Sequence, residues 1–236
     1  MKGQEWYQED AVAEVYEEKR FSRGGRLIDR REKQAVLDAL EPVEDASVLE
    51  IACGTGRFSV MLAERGATVV GLDISGPMLR QGRAKAQTAD VTDRLEFLRG
   101  DAGRLPFPDD HFDVVFAMRF FHLADTPGRF LEEMARVSRD VVFFDTFMAR
   151  SSRSAYNWLL PMGSRLYEDE AVRDLLASAD LDLESVSHDF ALPYGLYRKI
   201  PDWLADPLRE VDRAVIERAV GERLASVAYW RATVDA

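Results

Sequence analysis

The sequence lacks several features that would place it in other classes of protein. Its only cysteine, Cys53, cannot form an intramolecular disulfide, which fits a reducing compartment. No apolar run approaches the length that spans a membrane, and the N-terminal residues MKGQEWYQED do not have the character of a signal peptide. These absences favour a cytoplasmic location.

Basic residues are also in short supply. The chain has 31 Lys and Arg against 42 Asp and Glu, and its formal net charge is −11. Nucleic acid is therefore disfavoured as a substrate, because phosphates need basic patches. At 236 residues the chain is long enough for one domain with a full hydrophobic core.

The chain is organised around residues 48–73, VLEIACGTGRFSVMLAERGATVVGLD. An apolar run leads into the turn Cys53-Gly54-Thr55-Gly56, an amphipathic stretch follows, and a second apolar run ends in Asp73. This order predicts strand, glycine turn, helix and strand, as in a nucleotide-binding crossover. The glycines let the backbone pass close to a ligand, and the free N–H groups of the following helix face that ligand.

Three side chains of this stretch narrow the choice of ligand. Asp73 is placed where a carboxylate accepts the hydrogen bonds of a ribose diol. A dinucleotide fingerprint has a third glycine where this chain has Ser59. Glu50 would repel a pyrophosphate and attract an ammonium or sulfonium group. The turn therefore favours a ligand with an amino acid at one end and a nucleoside at the other.

Three segments, VLEIACGTG, GLDIS and GDAGRLPF, carry a family resemblance. They resemble the class I S-adenosylmethionine (SAM)-dependent methyltransferases, and most closely the small-molecule branch that includes quinone-biosynthesis methyltransferases. The resemblance is strong over residues 48–147, with Ala52 standing where the family usually has glycine. It implies SAM as cofactor and S-adenosylhomocysteine (SAH) as product. It also implies an α/β, Rossmann-like three-layer sandwich with a seven-stranded, mostly parallel sheet and an antiparallel last strand.

The chain is predicted to divide into three parts. Residues 1–40 would form an N-terminal helical cap, and residues 41–147 the SAM-binding Rossmann-like core. Residues 148–236 would complete the same domain with a substrate-side insertion and the last two strands. Residues 193–198 are expected to form a loop, and residues 223–234 a strand.

Twelve residues are predicted to bind the cofactor. The resemblance implies that Asp101 and the Ala102 backbone read the adenine edge. Ile74 and either Leu105 or Phe107 are expected to sandwich the ring, and Arg20, in a lid over the cofactor, is expected to bind the methionine carboxylate. Each has a plainer alternative, since Asp101 suits a turn, Leu105 suits the core, and Arg20 suits a surface helix. The full set is Glu50, Ala52, Gly54, Gly56, Asp73, Ile74, Met78, Asp101, Ala102, Met118, Tyr16 and Arg20.

The acceptor side of the site is less clearly patterned. Residues 118–122 leave the fourth strand at its carboxyl edge and lack the Asn/Asp-Pro-Pro-aromatic motif of nucleic-acid amino-methyltransferases. His122 is the candidate catalytic base or substrate-binding group, although a lone histidine is often structural. Arg119 either binds an acidic substrate or pairs with a carboxylate. An aromatic set is predicted to wall an apolar pocket or to belong to the core: Tyr156, Trp158, Tyr167, Phe190, Tyr194 and Tyr197.

The sequence thus predicts an enzyme that moves a methyl group from SAM to an O, N or C atom of a small, partly apolar molecule. No metal site and no nucleic-acid partner are predicted, and the chain is expected to be a monomer or homodimer. Two alternatives stay open at this point. One is a SAM-binding regulator without turnover, and the other is a nicotinamide-dependent oxidoreductase.

Overall fold

A seven-stranded sheet forms the centre of the computed structural model, which describes residues 10–154, 164–217 and 224–234. Its strand order is β3-β2-β1-β4-β5-β7-β6. The strands are β1 Ser47–Ile51, β2 Thr68–Asp73, β3 Leu95–Arg99, β4 Phe112–Ala117, β5 Ser138–Phe147, β6 Leu181–Asp189 and β7 Val227–Val234. Strand β7 runs antiparallel to both of its neighbours, whereas the other pairings are parallel. The fold predicted from the sequence is therefore confirmed.

Helices cover the sheet. They are α1 Asp10–Phe21, α2 Gly25–Leu40, α3 Arg57–Ala63, α4 Gly76–Thr88, α5 Pro127–Val137, α6 Asp169–Ser178, α7 Tyr194–Tyr197 and α8 Asp202–Ile216, with a 3₁₀ turn at Phe121–Leu123. Helix α4 begins at a side-chain cap, because the Ser75 hydroxyl accepts the Met78 N–H at 3.3 Å. In the described part of the chain, no helix combines the length and the apolar character needed to cross a bilayer.

The central strands read as continuous apolar runs because both of their faces are buried. On β4, Phe116 packs into one hydrophobic cluster and its neighbour Val115 into the other. On β5, Phe143 packs into the same cluster as Phe116, and Phe144 packs into the same cluster as Val115. Successive side chains of a strand point to opposite faces of the sheet, so each apolar run contributes side chains to the hydrophobic clusters on both faces.

The strand order reverses between β1 and β4, which opens a crevice at the carboxyl ends of these strands. The β1–α3 turn, the end of β2 and the segment after β4 all lie at this crevice. The expected loop at 193–198 contains the single turn α7, whose two tyrosines are buried. The expected last strand begins at Val227, and residues 218–223 lie outside the described part of the chain.

Candidate active site

The turn after β1 has left-handed backbone at three positions, with φ of 55° at Ala52, 56° at Gly54 and 71° at Gly56. Ala52 adopts a conformation that costs an L-residue about 1–2 kcal/mol, which gives a physical reason for the family's glycine there. No atom lies within 4 Å of the place a Cβ would occupy on Gly54, so this glycine faces open space. A Cβ on Gly56 would instead meet the ring of Phe97. The first glycine leaves room for a ligand, and the second is required by packing.

Asp73 ends β2 directly beside this turn. One carboxylate oxygen accepts the Gly54 N–H at 2.8 Å and the other accepts the Ser75 N–H at 2.7 Å. Each oxygen keeps a further lone-pair direction for a ligand. Burial raises the pKa of Asp73 above its ordinary value, and the backbone N–H bonds oppose that rise.

A pocket at the carboxyl edge collects most of the predicted cofactor residues. Its lining includes Tyr16, Arg20, Ala52, Gly54, Asp73, Ile74, Met78, Asp101, Ala102 and Met118, which are all of the predicted set except Glu50 and Gly56. The space inside the pocket, counted together with its open mouth, is about 880 Å³.

Glu50 lies in a smaller adjoining pocket, where it is joined by Tyr16, Gly54 and Arg119. Its side chain is buried and accepts a hydrogen bond from the Ser59 hydroxyl. Burial raises the pKa of Glu50 to about 8, despite the opposing hydrogen bond from Ser59. A cation placed in this pocket would favour the ionised carboxylate.

Helix α1 is fixed over the glycine turn by polar contacts. The Thr55 hydroxyl donates to the Glu17 carboxylate at 2.6 Å, and the Lys85 ammonium contacts the same carboxylate. Lys85 also donates to the Thr55 carbonyl at 3.1 Å. These contacts place Tyr16 and Arg20 at the pocket rather than on an outer surface.

Some of the pocket's apolar lining differs from the expected adenine sandwich. Ile74 lines the pocket and is 37% exposed. Leu105 is packed in the core cluster and Phe107 lies against His111 and Phe112, and neither lines the pocket. The pocket is lined instead by three other apolar residues, Phe120, Leu123 and Phe130. Phe130 could not be singled out from the sequence, because its spacing on α5 is that of any core residue.

The two polar candidates after β4 differ in placement. Arg119 lines the pocket, with a φ of 61° that is uncommon outside glycine, and its N–H donates to Asp145. His122 does not line this pocket; its ring packs 4.5 Å from that of Phe147. Burial and the charges of nearby arginines hold the pKa of His122 well below 6.5. His122 is therefore neutral near pH 7, and its role as a base stays a prediction.

The predicted aromatic set is mostly buried where the structure describes it. The Tyr167 hydroxyl donates to the Phe121 carbonyl at 2.9 Å. Phe190 packs edge-on against both Tyr194 and Tyr197. These four side chains contribute to the core. Tyr156 and Trp158 lie outside the described residues.

Comparison with known proteins agrees with this geometry. Residues 49–143 match the family described as "Methyltransferase domain". A demethylmenaquinone methyltransferase of Renibacterium salmoninarum is 37% identical over 110 residues, covering 47% of this chain and 44% of the relative. A fatty-acid O-methyltransferase of Mycolicibacterium smegmatis is 36% identical over 154 residues, covering 61% and 54%. The chain thus spans about half the length of these curated relatives.

A solved structure supports the fold over a longer range. Magnesium protoporphyrin IX methyltransferase from Synechocystis PCC 6803, with bound SAH, superposes with a TM-score of 0.65. It is 16% identical, and the match covers 89% of this chain and 85% of that one. At this identity the similarity extends to the fold alone.

Proposed function

We propose that the chain methylates a small molecule. The premise is that residues 49–143 belong to the class I SAM-dependent methyltransferase family. The methyl group passes from SAM to an O, N or C atom of a partly apolar acceptor. The observation that carries the proposal is the convergence of the open Gly54 turn, the oriented Asp73 carboxylate and Asp101 on one pocket.

The residues of that pocket suit each part of SAM. Asp73 accepts the two ribose hydroxyls through its remaining lone pairs, while Asp101 and the Ala102 backbone read the adenine edge. Ile74 covers one face of the ring. Glu50 attracts the cationic amino-acid end of the cofactor, and Arg20 binds its carboxylate.

When bound, SAM would supply a methyl group on its sulfonium sulfur, which the acceptor's nucleophile takes in line while SAH leaves with the electron pair of the broken C–S bond. The chain contributes positioning and exclusion of water, because charge is dispersed rather than created in this step. Phe120, Leu123 and Phe130 provide the apolar wall beside the pocket. A protein base is needed only when the acceptor must lose a proton.

The two alternatives give different binding and turnover. An oxidoreductase would bind NAD, but Ser59 stands where a dinucleotide fingerprint has its third glycine. Calorimetric titration of the full chain with SAH and with NAD separates these cases, with SAH expected to bind and NAD not. Binding of NAD alone would overturn the proposal.

Turnover separates an enzyme from a SAM-binding regulator. The protein is incubated with SAM and a panel of phenols, quinones, amines and carboxylic acids, and SAH and methylated products are detected by mass spectrometry. We expect SAH to form with at least one acceptor and not with the Gly54→Val variant. SAH binding without any product across the panel would favour the regulator. The three-part division of the chain, the cytoplasmic location and a monomeric or homodimeric state stay predictions.

A further inference from the structure

An arginine cluster lies beside the proposed cofactor pocket. Arg119 lines the pocket itself, and its guanidinium carbon is 4.9 Å from the ring centre of Tyr194. Arg153, after β5, lies 3.2 Å above the ring centre of Phe147 and 5.9 Å from that of Tyr194. Arg119 also lies 5.5 Å from the Phe147 ring centre. The two guanidinium groups therefore share the same pair of aromatic rings.

The acidic residues of this region are already engaged. Arg119 pairs with Glu32 at 2.8 Å, and Arg57 shares Glu32 and also pairs with Asp29 at 2.7 Å. Asp145 accepts the Arg119 N–H, and burial raises its pKa to about 6. The positive charges of Arg119 and Arg57 are thus balanced by the carboxylates of Glu32 and Asp29, and Asp145 is partly protonated. None of these carboxylates is left to neutralise a further cation.

Arg153 and Arg198 make no hydrogen bond or ion pair through their guanidinium groups with any side chain that the structure describes, a set that excludes residues 1–14, 19, 155–163, 218–223 and 235–236. Arg153 is 9% exposed, and its Nε is buried without a partner. The Nε and one Nη of Arg198 are likewise buried and unpaired. Residues 155–163, which follow Arg153 closely, contain no Asp or Glu. This stretch therefore offers Arg153 no carboxylate.

Both groups remain cationic at neutral pH at a cost to stability. Burial, together with the charges of Arg119 and Arg20, lowers the pKa of Arg153 to about 10 and that of Arg198 to about 9. An uncompensated buried charge destabilises a folded protein. SAM does not neutralise them, since its sulfonium and ammonium outweigh its single carboxylate. The described side chains together with SAM therefore leave Arg153 and Arg198 without a counter-anion.

Resting on the proposed function, we propose that the methyl acceptor is an anion, a carboxylate or a phosphate, bound by Arg153 and Arg198. The planar guanidinium fork matches the oxygens of either group and binds them through two parallel hydrogen bonds. Cation–π contacts with the rings of Phe147 and Tyr194 position the Arg153 guanidinium. Arg119 lines the cofactor pocket and its charge acts on both Arg153 and Arg198, so the bound anion would be anchored beside that pocket.

Three probes with the same aromatic body test the inference: phenylacetate, benzyl phosphate and neutral 2-phenylethanol. Each is titrated calorimetrically into the full chain saturated with SAH. We expect at least one anion to bind about tenfold or more tightly than the alcohol, and the stronger of the two identifies the acceptor's group. Arg153→Gln and Arg198→Gln should each remove most of that preference. Arg173→Gln, an exposed arginine on α6, is the matched control and should retain it.

Thermal unfolding of the empty protein supplies a second measurement. Arg153→Gln removes an unpaired buried charge, so its melting temperature should equal or exceed that of the wild type. Inorganic phosphate should raise the melting temperature of the wild type and not that of this variant. A large loss of stability in Arg153→Gln would indicate a structural arginine and overturn the inference.

The binding results also separate the two proposals. Equal affinity for anions and alcohol, no detectable anion binding, or anion binding unchanged in both variants would overturn the anionic acceptor while SAH still binds. Failure of SAH to bind the wild type would instead overturn the proposed function.

Discussion

Substitution of Asp73 tests the proposed site most directly, because its carboxylate has two tasks. It accepts N–H groups from Gly54 and Ser75, and it is proposed to accept the ribose hydroxyls of the cofactor. Asp73→Ala removes both sets of bonds. Asp73→Asn keeps the side-chain volume and one carbonyl acceptor, but it turns an amino group toward a backbone N–H and removes the charge.

The contacts give the expected magnitudes. An unpaired buried N–H donor costs about 1–3 kcal/mol, and Asp73→Ala leaves the buried Ser75 N–H in that state, whereas the half-buried Gly54 N–H can turn to water; the free energy of unfolding should therefore fall by about 1–3 kcal/mol. Loss of two hydrogen bonds from ribose to a charged group removes about 1.5–3 kcal/mol each from cofactor binding. Affinity for SAH should therefore fall at least about tenfold in both variants, with the smaller loss of stability in Asp73→Asn.

Urea unfolding and calorimetric titration with SAH measure the two effects separately, at a temperature where circular dichroism shows each variant folded. Asp140→Asn is the matched control, because Asp140 is exposed near the start of β5 and should change neither quantity. If Asp73→Asn unfolded at the wild-type urea concentration and bound SAH with wild-type affinity, both assignments of Asp73 would be refuted.

Three further predictions follow from the same region. Gly54→Val should abolish SAH binding with a moderate loss of stability, whereas Gly56→Ala should mainly destabilise the fold. Titration with SAH and thermal melting distinguish these two effects. Lost binding in Gly56→Ala and lost stability in Gly54→Val would contradict the assigned roles. The pKa of Glu50 is raised from 4.5 to about 8 on folding, so its contribution to stability is complete below pH 4.5 and lost as pH rises to about 8. Urea unfolding across this range should show the free energy of unfolding falling more steeply in the wild type than in Glu50→Gln, and identical slopes would count against a buried protonated carboxyl. Lys85→Met removes the contact to Glu17, so hydrogen exchange over residues 16–21 should accelerate without cofactor; unchanged exchange would show that other contacts fix α1.

The sequence was informative where structure and chemistry are local. The two apolar runs and the glycine turn between them depend on residues close together in the chain, so their pattern predicts the strand, turn, helix and strand that the structure has as β1, α3 and β2. Asp73 could be identified for the same reason, because it ends the strand that pairs with β1. The family resemblance extends this local information, and the match of residues 49–143 confirms it.

Tertiary structure decided which distant side chains meet. Leu105 and Phe130 are equally apolar in the sequence, but only Phe130 lines the pocket, because α5 turns it toward the carboxyl edge. Histidine near a strand end suggests a base, but whether it is charged depends on burial and on arginines brought close by folding. Arg153 and Arg198 read as ordinary surface arginines. Their significance comes from being buried without a carboxylate, because desolvation and pairing are properties of the packed chain and not of any stretch of sequence.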